Sequence, residues 1–258
     1  MSEPDGWEAT LAEHRRSLRR LEVAVLGLGF AFAGAVVWIV LAGAPIPTVL
    51  AVERLEIVEA DGSLAFVLAN SERPAAATMG GEILLEGQEE ERRGVPSIIF
   101  FDGRGDEVGG LLTGVRTTPD GFSATRHLSL DGYRQDQTVV LAHYQDEEGS
   151  SSGLHVSDRP HDLSIVDAMA ELGLEPGPSR EDLQAAIQAI PEGIREARLR
   201  ELFGAQRLFL GSTRTRSASL VLRDGSGRPR IVIDVPYAGE PSIQILDEGG
   251  DAVLRLPS

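Results

Sequence analysis

The sequence predicts a mainly β protein: an N-terminal transmembrane helix, then a domain of repeated β-hairpins (a meander) with a helical insertion. Three observations predict it. Residues 23–44 form an apolar run without a charge. Asp and Gly recur three apart in four turns, most of them flanked by alternating apolar residues. One stretch, 179–204, breaks that alternation with helical spacing. Together they divide the chain into a basic, cytoplasmic heptad segment (1–22), a span (23–44), a first β-rich extracytoplasmic segment (45–160), a helical connection (161–204) and a C-terminal two-hairpin segment (205–258).

The bulk numbers narrow the function classes. A chain of 258 residues can bury one or two cores. A formal net charge of −16 repels phosphate backbones and argues against nucleic acid as a partner. The chain has no cysteine, which removes disulfides, thiolate zinc sites and cysteine nucleophiles together.

The 22 residues of 23–44 would make a helix of roughly 33 Å, against a hydrocarbon core of about 30 Å. A cleaved export signal has a shorter apolar core, and "AGA" at 42–44 is followed directly by Pro45. A buried core helix keeps a polar face, which this run lacks. A retained single-pass anchor in the cytoplasmic membrane is therefore expected, with the bilayer as partner through residues 23–44. Arg15, Arg16, Arg19 and Arg20 lie just before the run, and the positive-inside rule puts the N-terminus in the cytoplasm and the remainder outside. Trp7, Leu11, His14, Leu18, Leu21, Val25, Leu28, Phe32 and Ala35 follow a heptad-like seam. Gly27, Ala31 and Ala35 add a small-residue stripe. Both would suit self-association, although a Leu-, Ala- and Gly-rich helix also produces such spacings by chance.

After a stiff "PIPTVL" linker, "RLEIVEADGSLAFVLAN" reads as two strands around Asp61 and Gly62. The recurring turns are Asp102/Gly105, Asp146/Gly149, Asp224/Gly227 and Asp247/Gly250. Aspartate caps its own turn, and glycine supplies the positive φ that closes a hairpin. A calcium-loop reading fails for want of further oxygens at alternate positions. In 179–204, Ser179 and Asp182 form a capping box; Leu183, Ile187, Ile190, Ile194 and Ala197 give the apolar stripe. Pro191 breaks or kinks the helix and Gly204 stops it. Arg195, Arg198 and Arg200 interleave with Glu192, Glu196 and Glu201, a solvated face.

The segments "SIIFFDGRGDEVGGLLTG", "HLSLDGYRQDQTVVL" and "GLHVSDRP" resemble a group of predicted bacterial membrane-anchored proteins of unassigned function. They share E-x-G-G-L, D-x-Y-x-Q-D-Q and D-R-P. The resemblance covers roughly residues 51–160, implies that the fold recurs, and lends no activity.

Read physically, those segments hold the candidate binding residues: Glu107, Tyr133, Gln135, Asp136, Gln137, Asp158 and Arg159. On a strand, Gln135 and Gln137 would share a face with Val139 and Leu141, and Asp136 would point the other way to pair with Arg126 or Arg159. His143, His155 and Asp158 are the alternative metal set; their convergence is not fixed by spacing. "GSSSGLH" lacks a nucleophile elbow, and no phosphate loop or dinucleotide fingerprint is present. No catalytic residue and no cofactor is assigned. The expectation is a membrane-anchored binding or assembly module facing a protein, a glycan or its own copies. The alternatives are an exported metal- or carboxylate-dependent hydrolase and a self-associating scaffold.

Overall fold

The structure is a computed structural model and describes residues 6–42, 48–119 and 121–257, with side chains from residue 13 onward except 36 and 39–42. It divides into two units, residues 1–51 and 52–258. The first contains one continuous helix, α1 (Gly6–Ala42). Among the described residues no helix is long and apolar enough to cross a membrane. The described side chains of α1 begin at Glu13 and His14 and include Arg15, Arg16, Arg19, Arg20 and Glu22, and their uninterrupted apolar part ends at Ala35. The seam residues Trp7 and Leu11 have side chains outside the described set. The end of the predicted span at 43–44 and the linker residues 45–47 also lie outside it.

The second unit is built on a twelve-stranded antiparallel sheet whose strands follow chain order. Its strands are β1 (Arg54–Val58), β2 (Leu64–Ala69), β5 (Ser97–Phe101), β6 (Glu107–Thr118), β7 (Gly121–Asp131), β8 (Gln137–Asp146) and β9 (Gly149–Asp158), continuing with β10 (Ala205–Ser212), β11 (Ala218–Arg223), β12 (Pro229–Val235), β13 (Ser242–Leu246) and β14 (Ala252–Leu256). Between β2 and β5 lie a separate hairpin, β3 (Thr78–Met79) with β4 (Glu82–Ile83), and a short helix α2 (Gln88–Arg92). Between β9 and β10 lie α3 (Ile165–Glu171), α4 (Arg180–Ala189) and α5 (Glu192–Phe203). Among the described residues β1 and β14 each have a single strand neighbour, so the meander does not close on itself. The C-terminal hairpins continue the same sheet, because β10 pairs with β9.

The turns explain the regularity. In residues 102–106, 224–228 and 247–251 the Asp amide donates to the carbonyl four residues on, and the Gly amide donates back to the Asp carbonyl. The Asp Oδ1 accepts from two further amides, at 2.9 and 3.2 Å in the first copy. Gly105, Gly227 and Gly250 take φ of 76°, 74° and 91°, a region where a Cβ costs energy. The backbone pattern recurs at 59–63 and at 213–217, where Thr213 stands in the Asp position and Arg216 adopts φ 66°. Asp146/Gly149 differs: those two residues pair directly, leaving a two-residue turn of Glu147 and Glu148.

Burial is concentrated on one face of the earlier strands, and β14 is exposed throughout. Val67, Ala69, Ile99 and Phe101 form a core cluster with Ala75 from the loop after β2. A second cluster joins Met79 and Leu85 to Ile165 and Met169 of α3, flanked by Leu183 and Phe203. Helices α3 and α4 both begin with capping boxes, Ser164 with Asp167 and Ser179 with Asp182, as expected for the second. Helix α4 ends at Ala189, with Ile190 already extended before Pro191, and Gly204 follows α5. Of the predicted apolar stripe, Leu183 packs while Ile194 is exposed; the buried anchor of α5 is Leu202. Arg200 pairs with Glu196 at 3.1 Å and Arg198 with Glu201 at 3.0 Å, whereas Arg195 turns back onto the Ile190 carbonyl.

Candidate binding surface

The residues singled out in the sequence gather mostly at one end of the middle strands, and there they tie elements together. Residues 132–136 form a turn, not the start of a strand: the Gly132 amide donates to the Asp136 carbonyl, and Arg134 takes φ 53°. The expected alternation of Gln135 and Gln137 therefore does not occur. Gln135 is 3% exposed, and its Nε2 donates to the Leu163 carbonyl. Next to it, the Arg134 carbonyl accepts the Ile165 amide at the start of α3. Of the two arginines open to Asp136, Arg159 is the partner, at 3.4 Å. The same guanidinium donates to the Gln137 carbonyl and, at 2.6 Å, to that of Phe203. Arg159 thus clamps the ends of β8, β9 and α5. Asp158 pairs instead with Arg207. Tyr133 stands apart, 75% exposed, with its hydroxyl 2.7 Å from Arg104.

Glu107 is nearly buried and ion-paired to Arg92 at 2.9 Å. Its neighbour Asp131, which closes β7, was not recognised in the sequence. Burial, then the charges of Glu107 and Asp136, push the Asp131 carboxyl up to about 7. Buried oxygens of Glu107, Asp131 and Gln135 lack a hydrogen-bond partner. Desolvation and neighbouring carboxylates both disfavour the charged form, which is why this carboxyl titrates so far above an ordinary aspartate.

The alternative metal set does not converge. Leu141 and His143 lie on one side of the pleat; Val140, paired with His155, lies on the other. His143 Nδ1 sits 2.7 Å from the Ser152 hydroxyl, and His155 Nδ1 sits 2.8 Å from Gln206 Nε2. Burial lowers the pKa of His155 and of His127. Among the described residues no group of three His, Asp or Glu is placed to hold a metal ion.

The feature that the sequence did not disclose is the other face of the sheet. Paired residues of neighbouring strands share a face, so the registers can be followed from edge to edge. One row runs Leu55, Leu68, Ile98, Leu111, Leu128, Leu141. It continues through Leu154, Leu210, Leu220, Ile233, Ile243 and Leu256. Every one of the twelve strands contributes a Leu or an Ile. Two residues along, a parallel row starts with Ile57, Phe66, Phe100, Gly109, Leu130 and Val139. Val156, Leu208, Leu222, Ile231, Ile245 and Leu254 complete it. Gly109 is its one gap, where a Cβ would come within 2.3 Å of the Ser129 carbonyl oxygen.

Within this second unit several of these side chains stand open: Leu141 is 57% exposed, Leu130 53% and Leu210 52%, while others such as Leu154 and Val156 are half-buried. At about 4.8 Å between strands the rows extend roughly 50 Å, and two rows make a strip roughly 13 Å wide. The turns at 102–106, 224–228 and 247–251 lie along one margin. Thr113, Arg126, His143, Ser152 and Ser212 are register partners along part of the other. A contiguous aliphatic strip between two polar margins marks an interaction surface.

No family model, curated protein or solved structure matches this chain, and the sequence resemblance rests on its quoted segments alone.

Proposed function

We propose that the protein is a single-pass, membrane-anchored binding module whose sheet holds the acyl chains of lipid on its open face, outside the cytoplasm. The observation that carries the reading is the pair of aliphatic rows crossing all twelve strands. Three features favour lipid over a protein partner. The rows contain no Trp, Tyr or Arg, the residues that anchor protein interfaces. The strip is long and narrow, roughly 50 by 13 Å, a shape that suits an extended chain better than a rounded protein patch. An acyl chain, about half of a ~30 Å hydrocarbon core, fits along it with length to spare. Arg126 on the polar margin suits an anionic headgroup. The apolar run of residues 23–44 supports anchoring, and it would keep the domain beside its ligand's source.

Two measurements test this. Full-length protein in micelles is titrated with a spin-labelled phospholipid, wild type against Leu128→Glu/Leu141→Glu. Both side chains are exposed, so the fold is retained, while binding weakens at least 10-fold. Equal binding would remove the open face from the proposal. Separately, the protein stays with membranes through an alkaline carbonate wash; release would remove the anchor.

A further inference from the structure

We propose that copies of this chain join head to tail, β14 of one against β1 of the next, extending the sheet and its apolar rows across molecules. This is carried by the two edges and does not depend on which ligand the open face takes. Among the described residues, the outer sides of β1 and β14 have no strand partner. The twelve strands alternate in direction, so β1 of a second copy placed beside β14 is antiparallel to it with the same face outward.

The register that continues the rows then sets Leu256 opposite Leu55 and Leu254 opposite Ile57. That register has a consequence it was not chosen for. On the opposite face it places Arg255 of one copy directly across from Glu56 of the next. Opposite charges at a paired position favour the pairing, and like charges there would oppose it. The aligned stretch is Leu55–Ile57 with Leu254–Leu256; just beyond it the ladders of both edge strands shift register. Arg54, the other charge on β1, donates to Glu56 Oε1 at 2.7 Å and to the Pro74 carbonyl at 3.0 Å, which leaves Glu56 Oε2 as the oxygen to face Arg255. Bare β edges are ordinarily blunted by like charges or bulges. Here the two edges carry complementary ones. An interface between two different edges does not close on itself, so assembly grows as an open array.

The absence of cysteine makes the test direct. Full-length Glu56→Cys and Arg255→Cys proteins are prepared separately, mixed in micelles under mild oxidation and run without reductant. Directly paired Cα atoms lie about 4.5–5.5 Å apart, within disulfide range. The expected result is a mixed disulfide dimer that neither protein forms alone, and a ladder of multimers from the doubly substituted chain. Charge reversal, Glu56→Arg, weakens association about 3- to 10-fold. The swap Glu56→Arg/Arg255→Glu restores it, which a merely misfolded edge would not do. Three results would overturn the proposal: no mixed dimer, homodimers of either single variant, or a doubly substituted chain that cross-links only within itself.

Discussion

Asp131 offers the sharpest test of the clamp at the end of the middle strands. Its carboxyl keeps its proton up to about pH 7 in the folded protein, against 3.8 for a free aspartate, because burial and the Glu107 and Asp136 charges oppose ionisation. Between those values the folded state binds more protons than the unfolded one, so this group makes stability fall as pH rises from about 4 to 7. A displacement of about three units corresponds to about 4 kcal/mol at most, and residual solvation reduces it. The amide introduced by Asp131→Asn cannot ionise. Urea unfolding of full-length protein in micelles, followed by circular dichroism, should give equal stabilities near pH 3.5, where both states hold the proton. By pH 8 the variant should be about 2–4 kcal/mol more stable. Taking the difference between variant and wild type removes the contribution of His127 and His155, whose lowered pKa values act with the opposite sign. It removes the acid-range contributions too, such as that of Asp146, held low by Arg214. A difference that stays flat from pH 5 to 8 would mean that Asp131 is not buried against its neighbours as described.

Three further outcomes follow from the packing. Gly250→Ala should cost about 1–2 kcal/mol although its Cβ would meet nothing within 4 Å, since φ 91° alone carries the penalty; thermal melts measure it. Ser164→Ala should cost about 1 kcal/mol by removing the cap of α3, and Ser164→Thr should restore most of it. Ile99→Ala, at a fully buried position of the core face, should cost about 2–5 kcal/mol, whereas Leu141→Ala on the open face should cost under 1 kcal/mol.

Much of this architecture was legible where the signal is local. Strands β1 and β2 follow from the alternation around Asp61 and Gly62, and the break at Pro191 follows from its missing amide. Helix α3 escaped notice although Ser164 and Asp167 repeat the box of Ser179 and Asp182, because seven residues are too few to show a period. Residues 133–136 alternate like a strand, yet Gly132 and Arg134 bend them into a turn. The 213–217 turn was invisible because Thr213 and Arg216 replace the expected Asp and Gly. The open face could not be read at all. Alternation shows that a strand has an apolar side, but only the register shows that twelve such sides line up, and only the fold shows which side is covered.

Because each strand lies beside its chain neighbour, with only two longer connections interrupting the order, nearly every pairing is local in sequence. Such a chain can lengthen or shorten by whole hairpins. Deleting two consecutive strands leaves the directions of all the others unchanged and every remaining Leu or Ile on its own side. Size here is a free parameter of a modular ribbon, adjustable in steps of about 10 Å per hairpin without redesigning what is left.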